Sequence, residues 1–375
     1  MRTPNEIDFW RGFALITIYI NHIPGIYFER FTYRSVSLSD SAELFVFLAG
    51  WSMRLSIKGK DGPLSAGRLV LRLGGRAVAL YFAQMVITEI AIAMLAGSSV
   101  LLDAPFLLDW HNASAVFREP VEANIGLVLM THQLGYFNIL PLYVVLMAAA
   151  PLIALIHRYA KWLLLSMSLA LYATVLTFGI NLPTWPVEGR WFLNPFAWQL
   201  IYVLGFLIAE NDGIGALARK YRRLLKLAAV PVVLLGMWTA LTHFSPSPID
   251  VPDPKLFFMF DKTFLSPARL IHVLALMALF AGFYKSVTPW FPASGRYLSM
   301  LGRNSLNVFC VGSVLSLAGQ ILRFAFDWGI AGDAVLVILG LTIMGFTAWV
   351  SEWRDRLRET PASPVAASAS LSASS

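Results

Sequence analysis

The chain has 375 residues, of which 57% are apolar, 13% aromatic and only 14% charged, with a formal net charge of +7. A soluble protein carries about 25% charge, and a core beyond ~250–300 residues still needs a charged shell. This composition, with a mean hydropathy of +0.65, excludes a soluble enzyme, a disordered protein, a coiled coil and a disulfide scaffold, and leaves a polytopic membrane protein.

A spanning helix takes ~20 largely apolar residues. The runs 8–25, 41–57, 74–96, 136–156, 161–180, 195–210, 227–243, 267–286, 304–323 and 334–351 predict an all-α bundle of about ten transmembrane helices. The runs are long and do not alternate with period two, which argues against a β-barrel. Lys and Arg cluster between apolar runs and form no continuous basic face, so nucleic acid is not an expected partner. With the N-terminus placed in the cytoplasm, twenty basic residues fall inside and eight outside. This satisfies the positive-inside rule and puts both termini in the cytoplasm. Residues 1–358 form the membrane domain. Residues 359–375, rich in Ser and Ala, have the composition of a disordered tail.

Ionisable groups within spanning helices are costly and mark sites or pathways by default. In the first run, Asp8, Arg11, Leu15, Tyr19 and His22 share one helical face. Arg11 and His22, eleven residues apart, stand ~16 Å apart along the axis, Arg11 toward the cytoplasm and His22 toward the outside. No cleavable signal is evident in this run, which reads as a working helix. The second run returns with Asp40, Glu43, Phe47, Gly50 and Arg54 on one face. If the two helices are neighbours, Asp8, Arg11 and Arg54 gather at the inner end and His22, Asp40 and Glu43 at the outer end. A carboxylate beside His22 would orient the ring and make it a general base. The bland alternatives are an Asp8–Arg11 ion pair at a helix end, a solvated His22, and Asp40 as an N-cap with Glu43 at the capping-box spacing.

Arg68, Arg72 and Arg76 recur every four residues on one face of the third element. They suit a phosphate through bidentate guanidinium contacts, or simple anchoring at the cytoplasmic surface. Outer segments combine aromatics and charges: Asp103, Asp109, Trp110, His111, Arg118, Glu119, Glu122 and His132 in residues 97–135, and Trp185, Glu188, Arg190, Trp191 and Asn194 in residues 181–194. Rings beside acids suit a sugar; a headgroup-level aromatic belt is the competing reading. Later, Arg303, Asn304 and Ser305 open a helix at the cytoplasmic side, where free N–H groups favour an anion. The single cysteine, Cys310, rules out a Cys-based metal site, and no metal or resident cofactor is expected. No Walker, HExxH, CxxC or GxSxG motif is present.

Arg11 and His22, separated by ten residues, resemble the hallmark of the integral-membrane acyltransferase superfamily. The phrases EIDFWRGFALITIYINHIPG, LSDSAELFVFLAGW, ILPLYVVL, WFLNPFAWQLIYVLG and LGRNSLNVF, in that order, resemble the OpgC family more closely. The resemblance implies succinyl transfer from succinyl-CoA, a cytoplasmic co-substrate, to osmoregulated periplasmic glucans at the bacterial inner membrane. It implies the hallmark catalytic roles for Arg11 and His22, to which the helix-face reading adds Glu43 as the group that orients His22. Arg68, Arg72 and Arg76 loosely match the superfamily's basic segment before helix three, and with Arg54, Arg303, Asn304 and Ser305, read from charge and helix-end position, they are the expected acyl-CoA-binding residues. That leaves Asp40, Trp185, Arg190, Asn194, Trp198 and Gln199 to hold glucan or acyl group, with Arg190 a candidate partner for the succinyl carboxylate. The family often has Ser-Gly-Tyr where this chain has Ala49, Gly50 and Trp51, so no serine acts there. A membrane transporter, a non-catalytic scaffold, or an acyltransferase with another acyl group or glycan acceptor are the alternative readings.

Overall fold

The computed structural model describes residues 5–59, 62–242 and 253–359. Arg2, Lys60, most of the SPSPIDVPDP segment and residues 360–375 of the expected tail lie outside the described residues. Glu359 is helical.

Each of the ten apolar runs contains a helix. They are α1 (Glu6–Asn21), α2 (Ser41–Ser56), α3 (Ala66–Leu101), α6 (Ile139–Tyr159), α7 (Lys161–Phe178), α8 (Pro195–Ile208), α10 (Arg222–Leu241), α11 (Pro267–Phe280), α14 (Ser305–Ala325) and α15 (Gly329–Glu359). Shorter helices intervene: α4 (Ser114–Arg118), α5 (Pro120–Val128), α9 (Gly213–Lys220), α12 (Phe283–Val287) and α13 (Pro292–Arg303). Two hairpins, β1 (Lys58–Gly59) with β2 (Gly62–Pro63) and β3 (Pro183–Thr184) with β4 (Gly189–Arg190), pair antiparallel. The fold is an all-α polytopic helix bundle.

Among the described residues, seven helices are long and apolar enough to cross a membrane, or eight if α8 and α9, bent by 72°, act as one span. α1 and α2 are helical where expected, but at 16 residues each they fall short of a full perpendicular span. Conversely, α3 and α15 run well beyond the expected 74–96 and 334–351, because the Arg-rich turn before residue 74 and the polar turn after residue 351 continue the helices.

Two backbone-to-backbone contacts set the frame. Gly50 of α2 lies on the Tyr202 carbonyl of α8, and Gly205 of α8 lies on the Phe47 carbonyl of α2. Gly12 of α1 meets Leu298, and Gly302 meets Asp8, closing α1 onto α13 in the same reciprocal way. Small residues let helix backbones approach where there is no water to drive association. The core lies between these pairs, with Trp198, Tyr202, Phe206 and Phe309 fully buried. α1 and α2 are neighbours, joined by a 2.5 Å hydrogen bond between the Thr17 and Ser41 hydroxyls.

Charged groups separate to the two ends. One end gathers Arg54, His157, Lys161 and Glu210 in contact. The other gathers Asp40, Glu43, Lys262 and Arg269. This is the arrangement the helix alternation requires.

Candidate functional site

His22 caps the C-terminus of α1, where its backbone N–H donates to Ile18. Its ring faces Tyr136, with centroids 4.8 Å apart, and Tyr136 in turn meets His111 at 5.2 Å. Gln320 of α14 fastens this group. Its amide nitrogen donates to the His22 carbonyl at 2.5 Å, and its oxygen meets His111 Nε2 at 2.6 Å. An amide whose nitrogen donates to His22 has only its oxygen left for His111, so His111 carries its proton on Nε2. Burial also lowers the His111 pKa from its ordinary value, against the opposing effect of the Gln320 hydrogen bond. The ring is therefore neutral, with Nε2 as donor.

The backbones of His111 (φ +55°) and Tyr136 (φ +66°) are both left-handed. Non-glycine residues are rarely held there, and such strain collects at functional sites. The buried Nδ1 of His22 has no hydrogen-bond partner among the described residues. In the tautomer with its proton on Nε2, that nitrogen is an available acceptor.

Glu43 has a different partner from the one the helix face suggests. Its Oε1 receives Arg269 Nη2 at 2.5 Å and Nε at 2.7 Å, while Oε2 accepts the Asp40 N–H at 3.0 Å. Asp40 caps α2 through Ala42 N–H, so the capping box legible in the sequence is present. Both Glu43 oxygens are thus committed, and the structure does not hydrogen-bond Glu43 to His22. Its physical role is to hold Arg269. Asp40 also binds Lys262 Nζ at 2.5 Å, with Arg269 Nη2 at 3.7 Å. The charges of Lys262, Asp40 and Arg34 act on the His22 ring. Lys262, Arg269, Tyr136 and Gln320 were not singled out from the sequence. They come from loops and helices far along the chain and carry no local motif.

At the other end of α1, Arg11 lines a cavity of about 90 Å³ with Arg76, Ser305, Phe45, Leu140 and Tyr143. Three of the expected acyl-CoA and catalytic residues, from α1, α3 and α14, thus share one space. The wall includes Leu140 of α6, four residues beyond Tyr136, while His22 and Tyr136 do not line it. Arg68 and Arg72 stay on the exposed face of α3, nearer its N-terminus than Arg76. Arg54 instead pairs with Glu210, which also takes His157 at 3.1 Å and Lys161 at 3.0 Å. Beside this group, a hydrogen bond from Lys161 holds the Asp212 carboxyl below its ordinary range. Arg303 pairs with Glu352 at 2.7 Å, and Asn304 donates to Met300. Neither lines the cavity.

The expected glucan-side residues divide. Trp185 is exposed on the β3–β4 hairpin, and Arg190 donates from there to Gly179 at 2.8 Å. Asn194 is buried, caps α8 through Phe196 N–H and donates to Ile180. Trp198 donates to the Lys262 and Thr263 carbonyls at 3.1 and 3.2 Å. Gln199 exchanges two hydrogen bonds with Ser168. Asn194 and Trp198 therefore fix the loop that carries Lys262.

Seven membrane-length helices among the described residues, with a guanidinium-lined cavity at one end of α1 and a buried histidine at the other, mark a polytopic membrane protein with a candidate site along α1. The model of the OpgC protein family matches residues 3–356, nearly the whole chain, and the chain belongs to that family. It is accordingly a membrane acyltransferase of the kind that modifies glucans. No curated protein and no solved structure gives a significant match.

Proposed function

We propose that the protein transfers a succinyl group from cytoplasmic succinyl-CoA to a hydroxyl of a periplasmic glucan, across the bacterial inner membrane and with both termini in the cytoplasm. The observation that carries this reading is the partition of α1. Arg11 opens into a cavity shared with Arg76 and Ser305, and His22, ~16 Å along the same helix, offers an unpartnered buried Nδ1.

Donor phosphates rest on the guanidinium groups of Arg11 and Arg76, which suit phosphate oxygens. The flexible arm of the coenzyme carries the thioester toward His22. Nδ1 takes the proton of a glucan hydroxyl as its oxygen attacks the thioester carbonyl. The new C–O ester bond forms, the C–S bond breaks, and the imidazolium returns the proton to the departing coenzyme thiolate. Tyr136 fixes the plane of the ring, and Gln320 fixes its backbone. Such positioning supplies the near-attack geometry that transfer needs.

The test uses inverted membrane vesicles containing the protein and a trapped glucan. Radiolabelled succinyl-CoA added outside should label the glucan; in sealed right-side-out vesicles it should not. Equal labelling from both faces would reject the orientation, and no labelling in either would reject the activity.

A further inference from the structure

Lys262 occupies a place that no motif announces. Its loop is held rigidly: Phe264 N–H donates to Asp261 Oδ1 at 2.7 Å, Asn194 N–H to the Thr263 carbonyl, and Tyr172 OH to the Leu265 carbonyl. Trp198 adds its indole N–H to the Lys262 and Thr263 carbonyls. Leu265 sits at φ +48°, an unusual left-handed position for a bulky residue. So much anchoring for a short segment is a sign that its side chains must be well placed.

The cations at this end are not equivalent. Arg269 is 9% exposed at its side chain and is bound by Glu43 through two nitrogens. Arg34 is 49% exposed and only loosely paired with Glu29, at 3.6 Å. Lys262 lies between these extremes at 28% exposure. Among the described residues it has a single carboxylate at hydrogen-bond distance, Asp40, and an ammonium has three rotatable donors, so it can serve a second anion without losing the first. Its Nζ stands 5.8 Å from the centre of the Phe192 ring, itself half exposed. The Phe192 ring thus flanks a cation held by Asp40, whose neighbour Ser41 is hydrogen-bonded to Thr17 of α1, five residues before His22. Arg190, the partner the sequence suggested, is tied to Gly179 on an exposed hairpin.

A reactive carbonyl at His22 that carries, two methylenes away, a second carboxylate needs an apolar surface and then a cation. We propose that Lys262 selects the acyl group by binding its distal carboxylate, with Phe192 lining the methylenes. This rests on the succinyl-transfer reading above. Asp40 keeps the ammonium in place when the site is empty, which lowers the entropy lost on binding.

Succinyl-CoA and butyryl-CoA have acyl chains of equal length, and only the first has the second carboxylate. The ratio of their kcat/KM values, measured on the purified full-length protein with a glucan acceptor, isolates the contact. In Lys262→Met this ratio should fall roughly 10- to 100-fold, the loss expected for one hydrogen bond to a charged group. Lys262→Arg should keep most of it. Arg34→Gln, which removes an exposed cation also felt by His22, should change the ratio less than about threefold. Thermal unfolding in detergent checks that each variant is folded. Equal losses with both donors in Lys262→Met, or an unchanged ratio, would overturn the inference while leaving succinyl transfer intact. A wild-type protein that uses butyryl-CoA but not succinyl-CoA would overturn the functional reading and this inference with it.

Discussion

Arg269 and Glu43 bury opposite charges 2.5 Å apart, with Asp40 and Lys262 adjoining. Breaking a buried pair from one side leaves the other charge without compensation, at a cost of ~3–5 kcal/mol. Glu43→Gln should therefore lower stability strongly. The double variant Glu43→Gln/Arg269→Met should recover much of the loss, since the charge left behind is removed too. Thermal unfolding of the three proteins in one detergent measures this. The transfer reaction of Glu43→Gln should fall with the folded fraction and keep its pH profile. A shifted pH profile at normal stability would return Glu43 to the role of orienting His22. The helix-face argument placed Glu43 at the correct end of the bundle. It could not find Arg269, because a partner 226 residues away in the chain leaves no spacing signal. The capping-box spacing, being local, was fully legible.

At the scale of elements, the site depends on how closely α1 and α2 sit against their supports. Gly50 has the Tyr202 carbonyl directly over it, with the Phe206 backbone beside it. Any side chain there meets backbone, which cannot swing aside as a long side chain can. Gly50→Val should thus cost at least the ~1–3 kcal/mol of an overpacked core and push α2 away from α8. In contrast, Gly75→Val on α3, where a side chain would meet open space, should leave stability unchanged or raise it by a few tenths of a kcal/mol, because Gly is the poorer helix former, by roughly 0.3 kcal/mol. Thermal unfolding and transfer activity, compared for the two variants, check this. Similar losses at both positions would mean that the α2–α8 contact is not what holds the site.

The ten apolar runs were legible as helices because hydropathy and length are local properties. α13 was not. Its residues PASGRYLSMLGR are too polar to span, and its buried face meets α1 rather than lipid. The paired glycines, Gly12 and Gly302, become a signal only once the helices are known to touch. The same limit explains why α1 and α2 looked long enough to cross. Pro24 and Gly25 end the first helix with a turn, although apolar residues continue beyond it.

Across the whole molecule, one helix joins two chemistries. α1 presents Arg11 to a cavity shared with Arg76 and Ser305 and ends at His22, where Tyr136, His111 and Gln320 hold the ring and its backbone. The loop carrying Lys262 is anchored to α8 through Trp198 and Asn194. In the proposed reaction, such an arrangement would serve a donor and an acceptor on opposite sides of a membrane, because neither would have to cross it whole. The central claim is that His22 removes the proton of the accepting hydroxyl. The direct measurement is the initial rate of labelled succinyl transfer from succinyl-CoA to glucan by wild type and His22→Ala, reconstituted in liposomes at matched folded protein. Loss of a general base removes ~10²–10⁴-fold of rate, and the variant should lose that much while retaining its thermal unfolding profile. A folded His22→Ala protein that transfers succinyl at the wild-type rate would contradict the account.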